Sequence, residues 1–272
     1  MADISAAQVQ SLRARTDLPL MDCKKALLEC GGDETAAMEW LRKRFADRMS
    51  SRADKETANG RIGAYADEHG GALVEIRCET DFVATNSVFT ELANQVARQA
   101  AATHLKDMAA LRASRCEFAG GRTVEDLIAG AYGKLNEKIE VRRAACCHGA
   151  ASWYVHHNGR IGAVVALDRP HDVGRQFCMH VASRQVLLGL ERGNVDSQQV
   201  RQAEEAARAE VANKPPQIID KIVAGKMDKW FAERVLLEQP FAIDDKKTVG
   251  QAAREQGVVI KGYLRFEVGG LS

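Results

Sequence analysis

The order strand, turn, strand, helix occurs twice in this chain, and few folds accommodate such a duplication. In the first occurrence Arg61-Ile62-Gly63-Ala64-Tyr65 precedes a glycine turn at His69-Gly70-Gly71, and Leu73-Val74-Glu75-Ile76-Arg77 then alternates apolar with polar side chains. Such alternation over a short run reads as a strand of a hairpin. Phe89, Leu92, Ala93 and Val96 follow at helical spacing. In the second occurrence Ser152-Trp153-Tyr154-Val155, an Asn158-Gly159 turn and Ile161-Gly162-Ala163-Val164-Val165-Ala166-Leu167 spell another hairpin, followed by a helix with Phe177, His180 and Val181. A tyrosine precedes each turn. Each unit also has a candidate third strand, Ile139-Glu140-Val141-Arg142 and Tyr263-Leu264-Arg265-Phe266-Glu267-Val268. The expected class is α+β, two related units with small antiparallel sheets.

A helical module precedes them. Ser5-Ala6-Ala7-Gln8 resembles a capping box, with Ile4, Val9 and Leu12 as a buried stripe before Thr16-Asp17-Leu18-Pro19 breaks the pattern. A second helix over about Met21 to Cys30 stops at Gly31-Gly32, and a third starts on Asp33 as N-cap and carries Ala37, Met38, Trp40 and Leu41. Residues 46–60 are polar, a linker or a solvated helix extension; Arg42, Lys43, Arg44, Arg48, Arg52 and Lys55 read as a solvated face because Asp47 and Asp54 interrupt them. Near the other end, a helical stretch over about 196–213, a turn at Lys214-Pro215-Pro216 and a helix over Gln217 to Phe231 predict a helical hairpin inserted before the last strand. It could serve as a contact surface or cover the sheet. The organisation is therefore a helical module over 1–46, a linker over 47–60, core units over 61–143 and 144–272, and an arm at about 192–231 in the second.

With 38 Lys+Arg against 37 Asp+Glu the net charge is +1, which argues against a general phosphate-neutralising surface and hence against direct nucleic-acid binding. The 7 cysteines are odd in number and form no CxxC pair, and the chain opens without a signal-peptide pattern, so a reducing, cytoplasmic setting is expected. The apolar run Ile161 to Leu167 is far short of a membrane span. Nucleotide-binding glycine loops, HExxH and the G-x-S-x-G elbow are absent. Cys146-Cys147-His148 is the best place for thiol or metal chemistry, but adjacent residues of a strand point to opposite faces, so buried structural thiols are the simpler reading. We expect no enzymatic activity, cofactor or metal. One sharp constellation is left, Cys78-Glu79-Thr80-Asp81-Phe82-Val83, where a strand must turn into a helix. Physics alone favours capping, with Thr80 or Asp81 receiving backbone N–H groups and Phe82 packed as a staple. The other reading makes the acid and the aromatic a wedge that enters a partner.

Met21-Asp22-Cys23-Lys24-Lys25-Ala26-Leu27 after Arg15-Thr16, Thr80-Asp81-Phe82-Val83, Gly159-Arg160-Ile161-Gly162, Met179-His180-Val181-Ala182, Gln239-Pro240-Phe241, Lys247-Thr248-Val249-Gly250 and Arg265-Phe266-Glu267-Val268 stand in one order along the chain. Together they resemble the bacterial elongation factor Ts family. The resemblance implies an N-terminal module of ubiquitin-associated type, two core subdomains and a coiled-coil arm. It also implies guanine-nucleotide exchange on elongation factor Tu, with Thr80, Asp81, Phe82 and Val83 dislocating magnesium in the partner. Partner contacts implied position by position are Leu20, Met21 and Lys24, then Leu135 and Asn136, then His156, Ala242 and Ile243. Asn136 stands where the family has glycine, and Leu20 where methionine is frequent. A homodimer of heterodimers is one assembly the family suggests. Many relatives continue into a further C-terminal module, whereas this chain stops at Gly269-Gly270-Leu271-Ser272, so contacts of that module are expected to be lacking. Ser183-Arg184-Gln185-Val186-Leu187-Leu188 replaces the family's small-residue and proline segment, which predicts a different path into the arm. The alternative function is a translation-associated binding module that does not exchange nucleotide.

Overall fold

The computed structural model describes residues 4–105, 107–184 and 186–270; Met1-Ala2-Asp3, Lys106, Gln185 and Leu271-Ser272 lie outside the described residues. Helices α1 (Ala6–Thr16), α2 (Leu20–Glu29) and α3 (Glu34–Ser50) come first. The Ser5 capping box forms with Gln8, and Asp33 caps α3 through Thr35 and Ala36 N–H groups. Val9, Leu12, Leu27, Leu41 and Phe45 make a small core that these helices do not close by themselves: Tyr132, from a later helix, sits edge-on to Phe45 at 6.2 Å. The α3 helix runs past residue 46 to Ser50, so the expected linker begins as helix.

Strands β1 (Asn59–Ala66) and β2 (Gly70–Cys78) pair antiparallel. The turn lies one step earlier than the glycine pair suggested. Asp67 Oδ1 accepts the His69 and Gly70 N–H groups, and Gly70-Gly71 already belongs to β2. Helices α4 (Asp81–Thr85), α5 (Ser87–Thr103) and α6 (Met108–Ala113), the short pair β3 (Arg115–Cys116) and β4 (Arg122–Thr123), and α7 (Val124–Leu135) lead to β5 (Glu140–His148). This third strand crosses the boundary expected at 143/144, because its pairing with β2 continues as far as His148 opposite Gly70. The second unit contains β6 (Ala151–Val155), β7 (Ile161–Leu167) and α8 (Gly174–Ser183), then the arm helices α9 (Ser197–Glu210) and α10 (Pro216–Arg234). The strands β8 (Pro240–Phe241) and β9 (Asp244–Thr248), helix α11 (Val249–Glu255) and β10 (Ile260–Glu267) complete it.

The two three-stranded sheets, ordered β1-β2-β5 and β10-β7-β6, repeat one plan. In both, the third strand carries a bulge, at Arg142 in β5 and at Lys261 in β10. An extra residue reverses which side chains face which way. That is how Val141 and Ala144 come to share one face in β5, while Ala145 and Cys147 take the other.

The sheets pack back to back. Ile62, Ala64 and Leu73 of the first meet Val164, Leu264 and Phe266 of the second. The outer face of the first sheet, with Val74 and Ile76, is covered by Phe89, Leu92 and Val96 of α5 and Ile128 of α7. On the second sheet, Val165 and Leu167 are covered by Phe177 and Val181 of α8 and Val249 of α11. Helix, sheet, sheet and helix form four layers. Close approach explains two glycines: a Cβ on Gly63 would lie 2.0 Å from the Ala93 carbonyl oxygen, and one on Gly162 would lie 2.6 Å from Ile62. The arm has thin cores of its own, Ala207, Val211 and Val223 in one and Val195, Phe231 and Val235 in the other. At its base Arg192 binds Glu238 through two nitrogens and Asp228 through a third.

Candidate functional site

Beyond β2, the chain makes a single helical turn, α4, and the sequence explains its geometry. Thr80 is extended and caps the turn, its hydroxyl accepting the Val83 N–H at 3.4 Å. Asp81 Oδ1 accepts the Phe82 N–H at 2.9 Å. Val83 and Ala84 are buried beneath, anchoring the turn to the first core. Both halves of the capping reading therefore separate: the polar residues do cap, but Phe82 is 82 % exposed instead of being packed as a staple. An isolated aromatic that open to water gains nothing for folding.

Four charged residues hold this turn: Glu79 and Arg52 lie in stretches the sequence had marked, whereas nothing in the sequence singled out Glu137 or Lys138. The Glu137 carboxylate, just after α7, accepts the Glu79 N–H at 3.1 Å, the Thr80 N–H at 3.0 Å and the Thr80 hydroxyl at 2.6 Å. In return the Glu79 carboxylate accepts the Lys138 N–H at 2.7 Å. Arg52 donates to both Glu79 oxygens at 2.9 Å, and its guanidinium holds the Glu79 carboxyl below the usual carboxylate range against the opposing effect of burial. Lys138 Nζ reaches the Ala53 and Lys55 carbonyls, so the segment after α3 is fastened to the core. Arg52 was expected in a solvated face; it is a bidentate partner, and the charge pattern of 42–55 gave no sign of it. Cys78, which donates to the Thr80 carbonyl, has its thiol pushed up to about 12, mainly by burial, and so is a poor nucleophile.

The other expected contact residues fall on separate patches. Leu20 and Met21 are exposed at the start of α2, Met21 by 71 %, and Lys24 is exposed one turn on. Leu135 is half-buried against the first core, while Asn136 is exposed and takes φ 53° as C-cap of α7. Asparagine is among the few L-residues that adopt this left-handed conformation readily, so the backbone keeps a shape glycine would take. His156 is half-buried, its Nδ1 3.0 Å from the Tyr154 hydroxyl. Ala242 and Ile243 are exposed in the tight turn between β8 and β9. Cys146 and Cys147 diverge as expected for strand neighbours: Cys146 Sγ donates to the Ala100 carbonyl, Cys147 packs between the sheets, and His148 stacks on His104. No group of three or more metal-ligating side chains converges among the described residues.

His180 supports the Ala242-Ile243 turn from below. It is fully buried; its Nδ1 accepts the Ala242 N–H at 3.1 Å, so Nε2 carries the proton given to Gln239 Oε1 at 2.9 Å. Burial lowers its pKa from 6.5 to about 4, with Gln239 opposing and Arg184 assisting. A depressed histidine makes the unfolded chain bind more protons between those values, so its stabilising contribution is complete above 6.5 and is lost as the pH falls toward 4. We expect about 2 kcal/mol less stability at pH 5 than at pH 7 from this group. Urea unfolding at both pH values should show that difference, and the His180→Asn variant should lack it.

Comparisons with known proteins identify the family to which the chain belongs. The family model described as Elongation factor TS matches residues 79–270, from Glu79 through the last strand. Full-length relatives match as well. The chain is 39 % identical to Elongation factor Ts of Kineococcus radiotolerans over 280 residues, covering 99 % of this chain and 100 % of that protein. It is 38 % identical to those of Bordetella avium, covering 99 % and 92 %, and of Mycolicibacterium paratuberculosis, covering 99 % of each. The chain belongs to the elongation factor Ts family. Membership places the α4 turn at the first residues of the matched region, while the α1–α3 module is covered by the full-length relatives. No helix among the described residues is long and apolar enough to cross a membrane.

Proposed function

We propose that this elongation factor Ts relative is a guanine-nucleotide exchange factor that binds elongation factor Tu in the cytoplasm and promotes GDP release. The observation that carries the reading is Phe82, 82 % exposed on a capped, anchored turn beside Asp81. Phe82 gains about 2 kcal/mol if it is buried in a partner, and Asp81 brings a carboxylate to the polar network that orders the partner's magnesium. A displaced divalent ion removes charge compensation from the phosphates, so GDP leaves faster. No bond is made or broken. The chain acts by binding the nucleotide-free conformation more tightly than the GDP-bound one, and GDP must weaken its binding by the same factor. Leu20, Met21 and Lys24 would dock the helical module on the nucleotide domain, with Leu135 and Asn136 beside the wedge and His156, Ala242 and Ile243 on other parts of the partner.

The test is release of labelled GDP from the cognate elongation factor Tu with substoichiometric amounts of this chain. Acceleration with turnover is expected. A tight complex that leaves the release rate unchanged would instead mark a binding module without exchange activity.

A further inference from the structure

The two loops that meet beneath the α4 turn exchange carboxylates. Glu137 gives its side chain to the backbone of 79–80, and Glu79 gives its side chain to the backbone of 138. Each pairing is long-range, 57 to 59 residues apart, so neither follows from local helix capping. Glu137 is the more committed of the two toward the turn. One of its oxygens takes two consecutive backbone N–H groups, and the other takes the hydroxyl of the residue that caps α4. Hydrogen bonds to an ionised acceptor are shorter and stronger than neutral ones, and the 2.6 Å contact to Thr80 is of that kind. That hydroxyl donates to Glu137 while it accepts from Val83, so the orientation of the cap and the orientation of the carboxylate are one variable. Glu137 also follows directly on Asn136, whose left-handed backbone ends α7 and turns the chain toward the turn.

We infer that Glu137 is a positioning residue for exchange: it sets the stance of Thr80, and through Thr80 the direction in which Asp81 and Phe82 project, and it couples that stance to the neighbouring surface at Leu135-Asn136. The inference rests on the exchange reading above. A small misplacement of a group acting at a partner's reaction centre is enough to lower a rate by one or two powers of ten. A buried-core role would show as lost stability; a positioning role shows only through Asp81 and Phe82.

The experiment measures GDP release from elongation factor Tu with Glu137→Ala and Glu137→Gln, each alone and combined with the Asp81→Ala/Phe82→Ala double substitution. Glu137→Ala alone is expected to reduce the acceleration about tenfold, Glu137→Gln to recover much of it by keeping an acceptor for the backbone N–H groups, and neither to add a loss once Asp81 and Phe82 are both alanine. Equal losses with and without the Asp81 and Phe82 side chains, or no loss in Glu137→Ala, would overturn the inference. If the unmodified chain fails to accelerate release, the exchange reading falls and amide hydrogen exchange decides the positioning separately. Residues 80–85 should then exchange at least about tenfold faster in Glu137→Ala while β1 and β2 are unchanged; unchanged exchange at 80–85 would overturn it.

Discussion

Replacing Asp81 and Phe82 together by alanine is expected to cut the acceleration of GDP release about thirtyfold while leaving the unfolding midpoint nearly in place. The size follows from burial of one phenylalanine in a partner, about 2 kcal/mol, at 1.4 kcal/mol per tenfold. The absence of a folding effect follows from Phe82 being 82 % exposed and from exposed substitutions usually staying within about 0.5 kcal/mol. Thr80→Ala is the informative companion. It removes the cap and the bond to Glu137 together, so it should lower both exchange and stability, the latter by about 1 kcal/mol. Stability loss in the Asp81/Phe82 variant equal to that in Thr80→Ala would return the constellation to a purely capping role. The measurements are stopped-flow GDP release and denaturant unfolding on the same samples.

The largest stability effect is expected at Glu75. This side chain is 3 % exposed between the two sheets, with Arg77 at 3.1 Å on one oxygen, Arg143 at 2.7 Å on the other, and the Gly269 N–H at 3.0 Å. Arg143 also lies 4.3 Å over the Phe266 ring and donates to the Glu267 carbonyl, so Glu75 anchors the cation that ties β5 to the end of β10. Removing one partner of a buried ion pair leaves the others uncompensated, at a cost of about 3 kcal/mol or more. Glu75→Ala should therefore lower unfolding free energy by about 3 kcal/mol, and Glu75→Gln should recover little of it because the two guanidinium groups still lack a countercharge. A loss below about 1 kcal/mol in Glu75→Ala would mean that the arginines find solvent freely and the network is peripheral.

Periodicity made the hairpins legible, because the alternation of Leu73 to Arg77 and the Asn158-Gly159 turn are local signals that tertiary packing had no reason to override. The bulges at Arg142 and Lys261 were not legible. A bulge is decided by the register of the neighbouring strand, which a single strand's sequence does not carry. Helix α7 was overlooked although Thr123 and Asp126 form a capping box and Leu127, Ile128, Ala131 and Leu135 follow at helical spacing. The signal was present there. In the candidate site, the Cys78–Val83 constellation stood out from the residues, the family resemblance weighted it toward Asp81 and Phe82 acting on a partner, and their exposure is the observation that the residues themselves left open. The roles of Arg52, Glu79, Glu137 and Lys138 remained hidden for a physical reason: each reads alone as a solvated charge, and its partner is brought near only by the fold.

Between the two sheets the chain needs only Gly149-Ala150 to pass from β5 to β6. The Gly149 N–H binds the His69 carbonyl, the Ala151 N–H binds the Asp67 carbonyl, and the Ile62 N–H binds the Gly159 carbonyl, so each hairpin clasps the other's turn region. A hinge has no place to form at that junction. The turn bearing Phe82 and the turn bearing Ile243 are thereby mounted on one stiff frame and kept at a fixed span, like the jaws of a calliper. Any molecule that engages both must match that span in its own structure, and one that does not match must itself be the body that bends.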